Sequence, residues 1–574
     1  YMVVQPVILP LYGGISVNEL LAKVAGVDPE PMELVRATFA ASSTKKGDVT
    51  AEWVATLKAG YASGSSAKPL EAALQGSSVA KALAEAPVLT GSEKDFEIVF
   101  ITDSKLDDGR YANNGWLQEL PDPVTKLTWD NAALISPASA AGLGVTTGDV
   151  LNISVGGKSL EIAALLLPGH ADNSISIPVG YGRTEVGSLG RNVGVDVFPL
   201  ITSTESRFRV GVTVSKTARK HPLAVTQEHG ALEGRGADLT RQATVAEWTE
   251  KADDSSFFKK MGIDAHAPQN FSLYSHPPLD DVHAWGMTVD LNSCIGCAAC
   301  MTACQAENNI PIVGKEQVLN GREMHWMRTD RYFASEGGDV DEPEMVSQPM
   351  MCQQCENAPC ETVCPVNATV HSEDGINVMA YNRCIGTRYC ANNCPFKVRR
   401  FNFFDYNQRS ITSLYRWNLI TEKGMADSLQ MQKNPNVTVR MRGVMEKCTF
   451  CVQRVQEAKI AAKVHASDSV GQTTAPRVPA DAFTSACAQV CPTDAITFGD
   501  IRNPESKISK LKDDQRGYRL LEYLNTENRV WYLARIRNPN PKMPDAARAG
   551  SASRDGHGHH DQHQSAHKNT GGHS

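Results

Sequence analysis

Cysteine is missing from the chain before Cys294 and after Cys491, so all fifteen fall within one stretch. An odd number so confined excludes a complete disulfide framework. Long apolar runs are missing too. The most apolar stretch, 162–167, is strand-sized, far short of the roughly 20 residues a spanning helix needs. No segment is therefore expected to cross a bilayer, although the chain can sit on a membrane partner. Basic excess is lacking: 57 Lys and Arg stand against 64 Asp and Glu, a net charge of -7. That gives no support to a nucleic-acid binder, which carries a basic face. The chain opens on Tyr1 without an initiator Met or a signal-peptide pattern. A processed piece whose targeting signal is missing is expected. There is no Walker loop, no Rossmann fingerprint and no nucleophile–base constellation. No C-x-x-C-H occurs, which excludes a c-type haem.

What is present is ordinary in bulk. With 574 residues, 41% hydrophobic and 21% charged, the chain is neither disordered throughout nor collagen-like. It is long enough for several domains of roughly 100–200 residues. Residues 1–95 read as mixed helix and loop, with helices at 17–24 and 33–41. An Ala/Gly/Ser-rich stretch at 60–78 reads as loop or weak helix, and 83–87 leads into the next unit. Residues 96–215 are strand-rich, with strands at 96–101, 133–135, 150–155, 160–167 and 174–179. Turn signals such as Gly156-Gly157 separate them, and a small barrel is predicted. Residues 216–285 are polar and read as a connector, and 286–545 hold every Cys. The tail, 546–574, carries six of the fifteen His among Gly, Ser, Gln and Asp. Its composition predicts disorder, with a place along a partner or, less favoured, metal binding.

The cysteines fall into four groups. They are Cys294-x2-Cys297-x2-Cys300-x3-Cys304, Cys352-x2-Cys355-x4-Cys360-x3-Cys364-Pro365, Cys384-x5-Cys390-x3-Cys394-Pro395 and Cys448-x2-Cys451-x35-Cys487-x3-Cys491-Pro492. The first, second and fourth fit the ferredoxin run C-x2-C-x2-C-x3-C-P, with insertions before the third Cys in two of them. Three thiolates in a tight loop reach three corners of one cubane. The fourth, on the following helix, points to a second cubane, so paired motifs exchange their last Cys. In the third group Thr387 stands where the second Cys belongs. A hydroxyl is a poor iron ligand beside thiolates. The count then closes on three [4Fe-4S] clusters and one [3Fe-4S] cluster. Four zinc sites are the competing reading, but zinc sites do not repeat a C-x3-C-P tail.

At these residues the segment resembles the four-cluster ferredoxin subunits that serve membrane-bound molybdopterin oxidoreductases. It is most similar to the large iron–sulfur subunit of alternative complex III, a bacterial quinol:electron-acceptor oxidoreductase. The stretches that carry the likeness begin at Trp285, Gln305, Cys384 and Cys394 and include Cys384-Ile-Gly-Thr-Arg-Tyr-Cys390 and Cys394-Pro-Phe-Lys-Val-Arg-Arg-Phe-Asn402. Upstream, Gln5-Pro through Leu11-Tyr-Gly-Gly14 and Asn113-Asn-Gly-Trp-Leu-Gln-Glu-Leu-Pro-Asp-Pro123 resemble the fused enzyme-like half. The likeness covers most of the chain and departs in length, because the family's full chain carries more of that half.

The resemblance implies an α+β, multidomain fold. A double-psi β-barrel of the molybdopterin-oxidoreductase type is followed by a double bacterial-ferredoxin-like four-cluster domain. Residues 1–95 become a remnant of the enzyme-like region. In this family that half has lost its cofactor, so no molybdopterin is expected. The implied ligand sets pair the first motif with the fourth and the second with the third. One cubane takes Cys294, Cys297, Cys300 and Cys491; another takes Cys448, Cys451, Cys487 and Cys304. A third takes Cys352, Cys355, Cys360 and Cys394. The three-iron cluster takes Cys384, Cys390 and Cys364, with Thr387 and Arg388 beside it. The implied partners are an integral-membrane quinol-binding subunit of the polysulfide-reductase membrane-subunit type, a multihaem cytochrome c subunit and further complex subunits. The implied place is the periplasmic face of the bacterial cytoplasmic membrane, with electrons passing from quinol toward haem and no substrate chemistry on this chain. The competing function is the C-terminal part of a working molybdopterin oxidoreductase, and a weaker one is a cytosolic hydrogenase-type subunit.

Other residues carry two readings. Lys397, Arg399 and Arg400 are either cations that tune a cluster or a solvated basic face. Arg388, inside the third loop, has the better case by position. Tyr389, Phe396, Phe401, Phe403 and Phe404 read as core or interface, and Trp116 and His170 as packing rather than relics of a pterin pocket.

Overall fold

The computed structural model describes the chain except at residues 7–12, 29, 43–47, 86–94, 204, 233–234, 252, 266–277, 335–342, 409–429, 468–475, 541 and 543–574. The His-rich tail and most of the Gln5 to Gly14 stretch lie outside the described residues. Residues 1–88 and 89–574 form two compact units.

The first unit is helical: α1 (Val17–Val24), α2 (Pro31–Ser42), α3 (Val49–Ala59) and α4 (Gly76–Glu85). Ser16 starts α1 with a capping box, its Oγ accepting from Glu19 N while Glu19 Oε2 accepts from Ser16 N, which satisfies two orphan donors at once. Asp48 caps α3, and Gly60 ends it in the left-handed conformation. The core of the unit is small: Phe39, Trp53 and Ala62, with the two rings edge to face at 5.2 Å. The helices at 17–24 and 33–41 are legible from their apolar spacing; α3 is not, because Ala and Thr dominate it.

The second unit opens with a closed barrel. Its strands are β1 (Phe96–Ile101), β3 (Ala133–Ile135), β4 (Asp149–Val155), β5 (Lys158–Leu166), β6 (Ser174–Pro178) and β7 (Phe208–Lys220), in the order β1-β6-β3-β5-β4-β7. β2 (Leu127–Thr128) lies outside it and pairs with β8 (Ala224–Val225). β1 runs parallel to β6, with Ile98 opposite Ile175, and β3 runs parallel to β5. The other barrel pairs are antiparallel. β1 buries every second residue, as a strand with one core face must. Phe96, Ile98, Ile135, Leu151, Ile153, Ile162, Ile175 and Ile177 fill the interior. β7 is absent from the sequence expectation. Val210, Val212 and Val214 alternate, but only Val212 is buried and most of the strand is polar and exposed, so its apolar signal is weak.

Residues 216–285 carry the end of β7, β8, β9 (Gln242–Thr244) and a short helix, Val245–Glu250. Arg241 is buried there over the Tyr518 ring at 4.7 Å and paired with Asp264. The cysteine-bearing region is built on a four-stranded sheet. β10 (Trp285–Asp290) is central, antiparallel to Ile496–Asp500 and parallel to Val530–Leu533, which pairs in turn with Gly517–Arg519. One continuous core joins this sheet to the cysteines.

A buried carboxylate ties the barrel side to the cysteine side. Asn114 caps the short helix Gly115–Glu119. Glu119, at that helix's end, accepts from Val313 N at 2.9 Å, Gly314 N at 2.7 Å and Trp129 Nε1 at 3.1 Å. Glu119→Ala strips three buried donors of their acceptor, which is expected to cost roughly 3 kcal/mol or more. The melting temperature should fall accordingly, and proteolysis should cut near 313. An unchanged melting curve would show that the latch carries no weight.

Candidate metal centres

The first motif leaves β10 in a tight loop. Cys294 N donates to Asp290 O at 3.0 Å. Gly296 has φ +70°, and a side chain there would meet Ser347 Oγ at 2.6 Å, so only glycine fits. Ala298 is left-handed at φ +61°, and the helix Ala299–Glu307 starts directly after it. That helix carries Cys300 and Cys304. Burial pushes both thiols up, and neighbouring thiols push further. For Cys300 these are Cys487, Cys294, Cys297 and Cys491; for Cys304 they are Cys448, Cys451 and Cys487. Cys487 stands near both, so the two thiol groups adjoin along this helix. Asn308, one turn beyond Cys304, links it to the fourth motif. Its Nδ2 lies 3.6 Å from Cys304 Sγ and 3.8 Å from Cys451 Sγ.

The third motif repeats the first one's backbone. Gly386 has φ +73° and Arg388 φ +61°, and the helix Tyr389–Asn392 follows at once. A side chain on Gly386 would come within 2.5 Å of Gly443 O. Thr387 therefore occupies the place that Cys297 occupies in the first loop, and both are exposed. Arg388 is exposed and stacks on Phe401 and Phe403 at 5.2 and 5.4 Å.

In the second motif Gln354 is left-handed at φ +48°, and Cys360 rides on the helix Pro359–Thr362. Cys352, Cys355, Cys360 and Cys394 line one small cavity together. Burial pushes Cys360 up to about 12, with Arg399 pulling the other way. In the fourth motif Phe450 and Cys451 are both left-handed, and Cys487 sits on the helix Ala486–Gln489, packed against the helix of the first motif.

The three Cys-Pro tails share one device. Proline has no N–H, so the donors come two and four residues beyond the Cys. Ala368 N and Ala495 N donate to Cys364 Sγ at 3.2 Å and to Cys491 Sγ at 3.3 Å. Burial raises these two thiols, but the backbone donors outweigh it and hold both below the usual range. Cys394 receives Val398 N and Phe396 N in the same way, although burial keeps it raised. Cys304 has no Pro after it, and the Asn308 side chain takes the donor's place.

All fifteen cysteines are free thiols. Among the described residues no three His, Cys, Asp or Glu converge on a point that would hold a single metal ion. A ring of thiols that repel one another in a buried space suits a wide cationic core, and iron–sulfur clusters fit that donor set.

Comparison with known proteins agrees with this chemistry. Models described as 4Fe-4S dicluster domains match residues 289–368 with 383–495, and residues 343–410. The menaquinone reductase iron–sulfur cluster-binding subunit of Nitratidesulfovibrio vulgaris is 40% identical over 254 residues, 44% of this chain and 89% of that relative. The chain belongs to this family of iron–sulfur subunits of menaquinone and molybdopterin oxidoreductases. A putative iron–sulfur subunit of dimethyl sulfoxide reductase from Halobacterium salinarum is 35% identical, over 43% of this chain and 78% of the relative. The Hdr-like menaquinol oxidoreductase iron–sulfur subunit 1 of Archaeoglobus fulgidus is 31% identical, over 43% and 82%. An acetylene hydratase structure from Pelobacter acetylenicus matches with a TM-score of 0.18 at 16% identity, over 28% of this chain and 22% of that one, too slight to carry an argument.

As an iron–sulfur electron-transfer subunit, the chain needs cations and donors near its thiols. The three adjacent cations have separate fates. Lys397 is exposed, and its Nζ donates to Asn392 O at 3.3 Å. Arg400 pairs with Glu323 at 2.7 Å. Arg399 turns inward. Lys447, fully buried and bound to the carbonyls of Asn377 and Cys448, escapes the sequence reading; its place beside Cys448 is the available signal. Asn308, four residues after Cys304 on the same helical face, could be found by spacing. Of the aromatics, Phe396 is buried and Tyr389 exposed. Trp116 is half-buried, and His170 bonds to Ser176 Oγ at 2.9 Å.

Proposed function

We propose that the chain is the electron-transfer subunit of a membrane-associated quinol oxidoreductase of the alternative complex III type. The observation that carries this reading is the interleaving of motifs, with Asn308 facing Cys304 and Cys451 together. It supports exchange of the first motif with the fourth, and the cavity shared by Cys352, Cys355, Cys360 and Cys394 supports that of the second with the third. Iron–sulfur clusters, when bound, supply one-electron carriers. The residues of the chain do the rest. Fifteen thiolates hold iron, the left-handed residues at 298, 388 and 451 shape the loops, and backbone and amide donors stabilise negative charge on sulfur. Cys364, Cys384 and Cys390, with Thr387 in place of a fourth thiol, hold the three-iron cluster.

The barrel has two parallel pairs, β1 with β6 and β3 with β5. They favour the double-psi type and a descent from the enzyme-like half, without its pterin. The partners are an integral-membrane quinol-binding subunit and a multihaem cytochrome c on the periplasmic face. Among the described residues no helix is long and apolar enough to cross a membrane. Purification of the intact complex tests the assignment. Multihaem cytochrome and a quinone-binding membrane protein in the complex, with iron and without molybdenum or tungsten, are expected. Stoichiometric molybdenum on this chain would replace this reading with that of a working molybdopterin oxidoreductase.

A further inference from the structure

We propose that Arg399 is the internal counter-charge of the cluster held by Cys352, Cys355, Cys360 and Cys394, and that it sets that cluster's potential. The proposal rests on the ligand set above and names the residue that tunes it.

Arg399 lines the same cavity as those four thiols and is 7% exposed. Its Nη2 donates to Thr369 Oγ1 at 2.8 Å and to Met379 Sδ at 2.9 Å. Its Nε and Nη1 are buried with no hydrogen-bond partner. Four other buried or half-buried guanidiniums around the cysteines each have a carboxylate. Arg440 has Glu446, Arg454 has Glu307, Arg400 has Glu323 and Arg529 has Glu356. Among the described residues Arg399 has no such ion pair.

A buried cation without a counter-charge is strongly unfavourable, and so is a buried N–H without an acceptor. Both deficits disappear if the missing partner is an anionic thiolate-ligated cluster in the cavity. The planar guanidinium fixes the directions of its free donors; Nε and Nη1 lie on different edges, so each is left for a separate sulfur. A cation with a donor at the cluster favours its more negative, reduced form and so raises its potential. The other interior thiol group is dressed differently. At Cys304 and Cys451 the facing donor is the neutral amide of Asn308, at 3.6 and 3.8 Å.

The test is a redox titration of the intact complex, followed by EPR, with Arg399→Gln and Arg399→Lys. Arg399→Gln should retain the iron of all four sites. At a fixed potential the ratio of reduced to oxidised form of one cubane should fall about tenfold or more, and a tenfold change is about 59 mV for one electron. Arg399→Lys, which keeps the charge, should stay within about threefold of wild type by the same scale. If Arg399→Gln leaves every midpoint unmoved, the Arg399 proposal is overturned while the cluster reading stands. A wild-type complex with no iron–sulfur signal would overturn the reading underneath it. If Arg399→Gln fails to load that site, the lysine variant decides. Loading at near-wild-type potential supports the charge; loss of the site in both variants overturns it.

Discussion

Thr387→Cys is expected to turn a three-iron centre into a four-iron one. The third loop already has the backbone of a complete motif. Gly386 and Arg388 match Gly296 and Ala298 in their positive φ, and each loop passes straight into a short helix. A cysteine at 387 would stand where Cys297 stands, with no rearrangement required. The oxidised wild type should show a three-iron EPR signal, and the variant should lack it. A three-iron cluster typically has the higher potential of the two types, because charge and cluster type differ. The potential of this site should therefore fall, the other clusters should be unaffected, and quinol oxidation should slow. The slowing is expected because we propose the three-iron cluster, whose higher potential suits the first electron from a quinol, as the first acceptor beside the membrane partner. If the variant keeps the signal, Thr387 is not the reason for the missing iron. If the signal goes and turnover is unchanged, electrons enter elsewhere.

Cys304→Ala should damage a cluster whose other ligands lie more than a hundred residues away in sequence. Under the exchange of motifs, Cys304 serves the site of Cys448, Cys451 and Cys487. Its thiol is fully buried and is pushed up by burial first, then by those three thiols. Iron should fall by between about one and four atoms per chain, depending on whether the site opens or empties. The cluster of Cys294, Cys297, Cys300 and Cys491 should keep its EPR signal and midpoint. Loss of that signal instead, with the other intact, would show that Cys304 binds within its own motif.

The parts of this account that are legible in the sequence are those set by local spacing. Cysteine intervals, the Thr387 substitution and short apolar strands such as β1 and β3 can be read from neighbours a few residues apart. What is not legible depends on partners far along the chain. Lys397, Arg399 and Arg400 are near neighbours of similar charge, and nothing local separates them. The pairing of Arg400-Phe401 with Met445-Glu446 places them, sending Arg400 to Glu323 and Arg399 to the thiol cavity. Glu119 and its acceptor role at Val313 and Gly314 are hidden for the same reason. β7 escapes because only Val212 in it is buried and most of its residues are polar. Arg388, favoured by its position in the third loop, is exposed and stacks on Phe401 and Phe403 instead of turning into the core.

Metal analysis of the purified subunit, with acid-labile sulfide measured on the same sample, addresses the central claim most directly. Three four-iron clusters and one three-iron cluster predict about fifteen iron atoms per chain and about as much sulfide, somewhat more because the three-iron core keeps four sulfides. A total near four metal ions, with zinc dominant and sulfide absent, would contradict the account.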